Sequence, residues 1–132
     1  MSRTYRELLV WRKAKILATL VYQETETFPK SERFGLTSQI RRAAVSIPSN
    51  IAEGQGRLTK GEFRQFLGQA RGSLLELETQ FAIAFDLGYL REPSYQSLDT
   101  HTYQVLGLLN RLIESLSTQA RGLPKPLKPA KP

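Results

Sequence analysis

Cysteine is absent from the 132 residues of this sequence, and histidine and methionine each occur only once. Without cysteine the chain has no disulfide bonds, no thiol nucleophile and no cysteine-ligated zinc or iron–sulfur site. The single histidine, His101, cannot build a histidine-rich metal site, and no Glu-x-x-His pair of the kind used by di-iron bundles occurs. We therefore expect a protein that is not an enzyme, with no catalytic residue, metal site, cofactor or small-molecule substrate.

Long apolar segments are also missing. The longest uninterrupted apolar run covers residues 81–85, whereas a membrane helix needs about 18 such residues. The apolar stretch near the amino terminus, residues 8–11, is too short for a signal peptide. Because the length and the 40% apolar content are typical of one soluble domain, we expect a cytoplasmic protein without membrane contact.

Apolar residues recur at helical spacing in four segments, and no segment alternates with the period of a strand. Pro29 should stop the first helix, Thr59 and Glu62 form a capping box for the third, and Gly88 should end it. The predicted helices cover residues 5–28, 36–53, 59–88 and 93–122. The fold class is therefore all-α, an antiparallel up-down four-helix bundle over residues 1–120 with a flexible Pro/Lys-rich tail over residues 121–132.

The formal net charge is +7, and it is unevenly distributed along the chain. Residues 33–71 contain seven Lys or Arg and two acidic residues (+5), and residues 72–120 contain two and six (−4). A basic segment can attract phosphates, because binding releases counterions. Alternatively, the basic and acidic segments pair with each other, within a subunit or between subunits.

The last twelve residues contain four of the seven prolines and four basic residues. Proline favours extended, polyproline-like backbone, so a flexible basic arm is expected. Such an arm either holds nucleic acid loosely or serves only to keep the protein soluble.

Three groups of residues are candidates for function. The predicted nucleic-acid contacts are Arg41, Arg57, Lys60 and Arg64, together with the tail residues Lys125, Lys128 and Lys131. Polar rows on the second and third helices predict a network that sets the register of helices or subunits: Arg42, Ser46, Asn50, Glu53, Arg71 and Glu78. A second apolar row on the first helix predicts a subunit contact, because one buried face cannot cover it: Leu9, Ile16 and Leu20.

The segment QIRRAAVSIPSNIAEG, residues 39–54, resembles the signature of bacterial four-helix-bundle proteins encoded in ribosomal-RNA intervening sequences. The resemblance extends to residues 9–14, 63–67 and 70–80 and covers about residues 5–118. It implies a homopentamer with a basic surface and no enzymatic activity. It also implies kinship with the accessory proteins of diversity-generating retroelements, which bind a reverse transcriptase and nucleic acid.

Two functions follow from these observations. The first is a non-enzymatic, oligomeric bundle that binds RNA or DNA through backbone phosphates. Under this hypothesis the bundle can also serve as an accessory to a reverse transcriptase. The alternative is a protein–protein scaffold in which basic and acidic segments pair across subunits and nucleic acid has no specific role.

Overall fold

A computed structural model describes the backbone of residues 4–121 and the side chains of residues 4–116. This part of the chain is helical apart from its turns and contains no strand. Two 3-10 turns, Tyr5–Glu7 and Lys30–Glu32, precede the first and second α-helices. The four α-helices are α1 (Leu9–Glu24), α2 (Leu36–Gln55), α3 (Lys60–Asp86) and α4 (Glu92–Arg121). The predicted four-helix bundle is confirmed.

Helix α1 is shorter than the sequence pattern predicts. Leu8 is extended, which separates the first turn from the helix, and Thr25 ends the helix four residues before Pro29. The Thr25 hydroxyl donates to the carbonyl oxygen of Val21 at 2.8 Å. Thr25 also accepts, through its own carbonyl, the amide of Phe28 in a turn. The prediction of a helix to Phe28 was wrong: beyond Thr25 the amides of Glu26 and Phe28 bond carbonyls three residues back instead of four, and Arg41 of α2 occupies the Tyr22 carbonyl oxygen that a longer helix would use.

The boundaries of α3 agree with the capping signals. The Thr59 hydroxyl accepts the amide of Glu62 at 3.1 Å, which is one of the two hydrogen bonds of a capping box. At the other end α3 stops at Asp86, and Gly88 follows with φ +82°. This left-handed conformation favours glycine, which explains why the chain turns here into α4.

Each helix packs against two neighbours, α1 and α3 both lying between α2 and α4. One fully buried residue from each helix illustrates the shared core: Leu17, Ile47, Leu74 and Leu109. None of the described helices is apolar over a stretch long enough to cross a membrane.

Short connections between consecutive helices make the bundle antiparallel. The start of α1, the α2–α3 turn and the end of α4 therefore lie together at one end of the molecule. The end of α1, the start of α2 and the α3–α4 turn lie at the opposite end. Hydrogen bonds fit this arrangement, since Arg41 near the start of α2 contacts Thr25 at the end of α1.

Candidate nucleic-acid interface

Charge is separated between the two ends of the bundle. The half that contains the α2–α3 turn (residues 4–16, 46–72 and 107–121) has ten Lys or Arg and four acidic residues, a net +6. The opposite half (residues 17–45 and 73–106) has five and eight, a net −3. We call the first of these the basic end. The folded chain thus has a strong positive field on one side, which the segment charges along the sequence do not show.

Three of the predicted nucleic-acid contacts meet at the basic end. Arg57 lies in the α2–α3 turn, while Lys60 and Arg64 lie one turn apart at the start of α3, and all three are exposed. The guanidinium of Arg57 lies 4.8 Å from the ring centroid of Phe66, an aromatic contact that orients it. The amino-terminal end of α3 adds the positive end of a helix dipole. Such a set of exposed cations can contact several phosphates.

Arg41 has a different environment. It is half-buried, and its Nε donates to the Thr25 hydroxyl at 2.9 Å while its Nη2 donates to the carbonyl oxygen of Tyr22 at 3.3 Å. Its guanidinium also lies 4.5 Å from the Tyr22 ring centroid. The length of α2 places Arg41 roughly 20 Å from Arg57. Arg41 therefore does not join the cations of the basic end.

The tail residues Lys125, Lys128 and Lys131 lie outside the described residues. Helix α4 leads the chain to the basic end, where it reaches Arg121.

The polar rows divide into separate contacts between helices. The hydroxyls of Ser46 in α2 and Ser73 in α3 are hydrogen-bonded to each other, and Asn50 Nδ2 donates to the Ser46 carbonyl oxygen at 2.9 Å. On the other side of α3, Arg71 Nε donates to Asn110 Oδ1 at 2.8 Å. Of the remaining residues in the predicted network, Arg42 and Glu53 are exposed and Glu78 is half-buried.

Ser73 and Asn110 were not identified from the sequence. Each lies on the polar side of its helix, and its partner belongs to a neighbouring helix that only the tertiary structure brings close. Sequence spacing within one helix gives no signal for such pairs.

The second apolar row of α1 is partly at the surface. Leu9 and Ile16 are 48% and 49% exposed, whereas Leu20 is half-buried and packs against the core. Two of these three residues thus offer apolar area to a partner, and the third contributes to the bundle itself.

A shallow groove at the opposite end of the molecule was also missed. It lies between the end of α1 and the start of α2 and has a volume of about 650 Å³. We call it the aromatic groove, and the residues that matter to its chemistry are Tyr22, Arg33, Phe34, Thr37, Arg41 and Arg42. Tyr22 and Phe34 come from different segments, so only the tertiary structure brings them to one groove.

Comparison with known proteins supports the sequence resemblance. The family model described as 23S rRNA-intervening sequence protein matches residues 6–111. The crystal structure of a protein with unknown function from the S23 ribosomal protein family of Bacteroides thetaiotaomicron is similar, with a TM-score of 0.74 and 22% identity. That match covers 80% of this chain and 96% of the other, and at this identity it shows the shared fold. A search of curated proteins gives no match.

The family match covers most of the four-helix bundle and includes the segment of residues 39–54 that carries the resemblance. On this evidence the chain belongs to the 23S rRNA-intervening sequence protein family.

Proposed function

We propose that the protein is a non-enzymatic cytoplasmic bundle that binds RNA or DNA through backbone phosphates at its basic end. The observation that carries this proposal is the net +6 of that half, with Arg57, Lys60 and Arg64 exposed around one turn. Neutralising phosphates with exposed Lys and Arg releases condensed counterions, which favours binding. Contacts of this kind position a nucleic acid without reading its sequence, so little sequence preference is expected.

The proposal extends to an accessory role beside a reverse transcriptase. This extension rests on the sequence resemblance to retroelement accessory proteins. A bundle that holds template nucleic acid without sequence preference suits such a role.

Self-association is the second candidate function, and the half-exposed Leu9 and Ile16 favour it. Apolar side chains on one helix face are stabilised when a second copy covers them, and the family resemblance implies a homopentamer. In a pure scaffold, basic and acidic segments pair across subunits. In about 1 M salt the screening length is roughly 3 Å, so an oligomer held by charge dissociates there. An oligomer that keeps its mass in that salt is instead held by apolar contacts.

A salt titration tests the phosphate-binding proposal. The probe is a labelled RNA hairpin without single-stranded extensions, and the variant combines Lys60→Gln with Arg64→Gln. Each lost phosphate contact should reduce the slope of log affinity against log salt by roughly 0.7–0.9, so the double variant should lose about 1.5 units. The matched control combines Lys30→Gln with Arg91→Gln, which removes the same charges from exposed positions in the opposite half.

The two double variants separate a local site from a general effect of net charge. An unchanged slope in the control and a reduced slope in the basic-end variant support the proposal. Equal slopes in both variants, or no binding by the unmodified protein, contradict it.

A further inference from the structure

Phe34 is the most exposed aromatic residue at the edge of the aromatic groove. Its side chain is 90% exposed, and it lies in the turn that leads into α2. The Arg33 guanidinium lies 5.4 Å from its ring centroid. A single exposed apolar side chain is ordinary on a protein surface, but this ring borders a groove that also contains a second aromatic ring, that of Tyr22.

The groove is positively charged. Arg33, Arg41 and Arg42 line it, and no carboxylate does so among the described residues. Arg41 is held in place by Thr25 and the Tyr22 carbonyl oxygen, so its position is fixed before any ligand arrives. Guanidinium groups suit phosphate oxygens because they present several donors in one plane.

The acidic residues closest to the groove lie in the depressions beside it and not in its own lining. Glu26 lines an adjoining depression together with Arg33 and Arg41, and Glu76 lines another together with Arg42 and Ser46. Glu32 also lies nearby, where it accepts the amide of Leu36. The positive character of the groove therefore comes from its own lining, in which the described residues include three arginines and no carboxylate.

A buried hydroxyl in the wall of the groove lacks a partner. Thr37 is only 8% exposed, and its Oγ1 has no hydrogen-bond partner within the described structure. Buried hydroxyls are normally hydrogen-bonded, because leaving one unpaired is costly. The oxygen itself is closed to solvent, so the groups that a ligand in the groove can contact are the rings and the arginines.

We propose that the aromatic groove binds an unpaired nucleotide of single-stranded RNA or DNA. The base stacks on Phe34, and the phosphate contacts Arg33 and Arg42. Exposed aromatic rings combined with cations are the means by which proteins hold single strands without sequence preference. An acidic peptide would use the arginines but would leave the aromatic rings without a function.

This proposal rests on the proposed function in that both require nucleic-acid binding, but it concerns a different surface. The groove lies in the half of the bundle opposite the basic end. Both surfaces can contact phosphates, so they are distinguished by their variants: Phe34 and Arg42 for the groove, and Lys60 and Arg64 for the basic end.

The first test measures binding of a labelled oligouridine of about 12 nucleotides to the unmodified protein and to its variants Phe34→Ala and Phe34→Trp. Loss of one stacked base should weaken binding by Phe34→Ala roughly 5-fold or more, while Phe34→Trp, which keeps an aromatic face, should bind normally. The control is Tyr103→Ala, which removes another exposed aromatic residue, one on α4 and outside the groove. Unchanged affinity of Phe34→Ala overturns the proposal.

The second test measures the charge contribution. Arg42→Gln should weaken single-strand binding, whereas Arg91→Gln, an exposed arginine in the same half, should not. Thr37→Val keeps the shape of the side chain and removes an unpaired hydroxyl that is closed to solvent, so it should unfold at the same or a higher temperature and bind the oligouridine normally. Equal affinities of Arg42→Gln and Arg91→Gln contradict the role of Arg42.

An abasic strand of the same length and a polyglutamate peptide identify the kind of ligand. The nucleotide proposal predicts that both compete poorly against the oligouridine. If either competes equally well, the groove recognises charge alone and the proposal is wrong. If the groove proposal is wrong, the groove variants bind the oligouridine normally, and hairpin binding at the basic end is unaffected. If the proposed function is wrong, hairpin binding does not depend on Lys60 and Arg64.

Discussion

Arg41 donates from its Nε to the hydroxyl of Thr25 at 2.9 Å, and this bond joins α2 to the residue that ends α1. The same guanidinium reaches the carbonyl oxygen of Tyr22 at 3.3 Å. A cation at this place also interacts favourably with the negative end of the α1 dipole. Its neighbour Arg42 is exposed. Two adjacent arginines thus have different roles, one fixing the helix pair and the other free to meet a ligand.

Replacing Arg41 with glutamine should destabilise the protein, while the same change at Arg42 should not. The Arg41 variant loses two hydrogen bonds and an aromatic contact in a half-buried position, which should lower the free energy of unfolding by about 1 kcal/mol or more. Arg42→Gln should stay within about 0.5 kcal/mol of the unmodified protein, as surface changes do. Urea unfolding of both variants measures this difference, and equal stabilities would show that the Thr25 contact contributes little.

From the sequence we predicted a nucleic-acid contact for Arg41 and a place in a polar network for Arg42, whereas in the structure Arg41 bonds to Thr25 and Arg42 is exposed. Both occupy the same segment and have the same chemistry, and their environments depend on which of them faces the end of α1. Helical periodicity was sufficient to predict four helices, because the core residues of each form one stripe. The end of α1 was predicted incorrectly, because the contacts of Arg41 with Tyr22 and Thr25 form only in the folded bundle and have no counterpart in the helical periodicity.

Gly54 marks the closest approach of α2 and α3. A Cβ atom at this position would lie 2.7 Å from Phe66 Cβ and 3.0 Å from Phe63 Cδ1. Because Phe66 Cβ is attached directly to the α3 backbone, α3 itself would have to move. Gly54→Ala should therefore lower the free energy of unfolding by about 1–3 kcal/mol, as measured by urea unfolding.

Gly72 provides the matched control on α3. A Cβ atom there would meet nothing within 4 Å, so Gly72→Ala should stabilise the helix by about 0.5–1 kcal/mol through reduced backbone entropy of the unfolded chain. If Gly54→Ala were as stable as Gly72→Ala, the two helices could separate at no cost and the close approach would not be a constraint.

Tyr89, which follows the α3–α4 turn, donates its phenolic hydrogen to Glu32 Oε2 at 3.1 Å. Glu32 uses its other oxygen to accept the amide of Leu36 at the start of α2. The hydrogen bond to Glu32, assisted by burial and by the negative charge of Glu32, raises the pKa of Tyr89 above its ordinary value of 10.0. The folded state therefore favours the neutral phenol.

The stability that Tyr89 contributes should disappear in strongly alkaline solution. A group whose pKa is higher in the folded state stabilises below its unfolded pKa, and this stabilisation falls as pH rises through the folded pKa. The unmodified protein should exceed Tyr89→Phe in stability by a constant margin below about pH 10, and the margin should shrink above it. Urea unfolding of both proteins across that range measures the margin, and a margin that grows with pH would contradict the hydrogen bond.

The charge separation of the bundle could not be predicted from segment charges alone. Along the sequence, the +5 segment of residues 33–71 contains both Arg41 and Arg57, which the fold places in opposite halves. The basic end also includes α1 residues such as Arg12 and Lys13, far away in sequence. Arg57, Lys60 and Arg64 are close in the sequence itself, but only the antiparallel arrangement of the helices brings the α1 cations to the same end.

Removal of residues 122–132 should reduce the salt dependence of hairpin binding without abolishing it. The chain leaves α4 at the basic end, and the removed segment contains Lys125, Lys128 and Lys131. If all three lysines contact phosphates, the slope should fall by roughly 2–3 units, and the remaining slope belongs to the bundle. A full-length variant with all three lysines changed to glutamine separates charge from chain length, because it keeps the prolines. If truncation abolishes binding altogether, the bundle is a scaffold and the tail alone attaches it to nucleic acid.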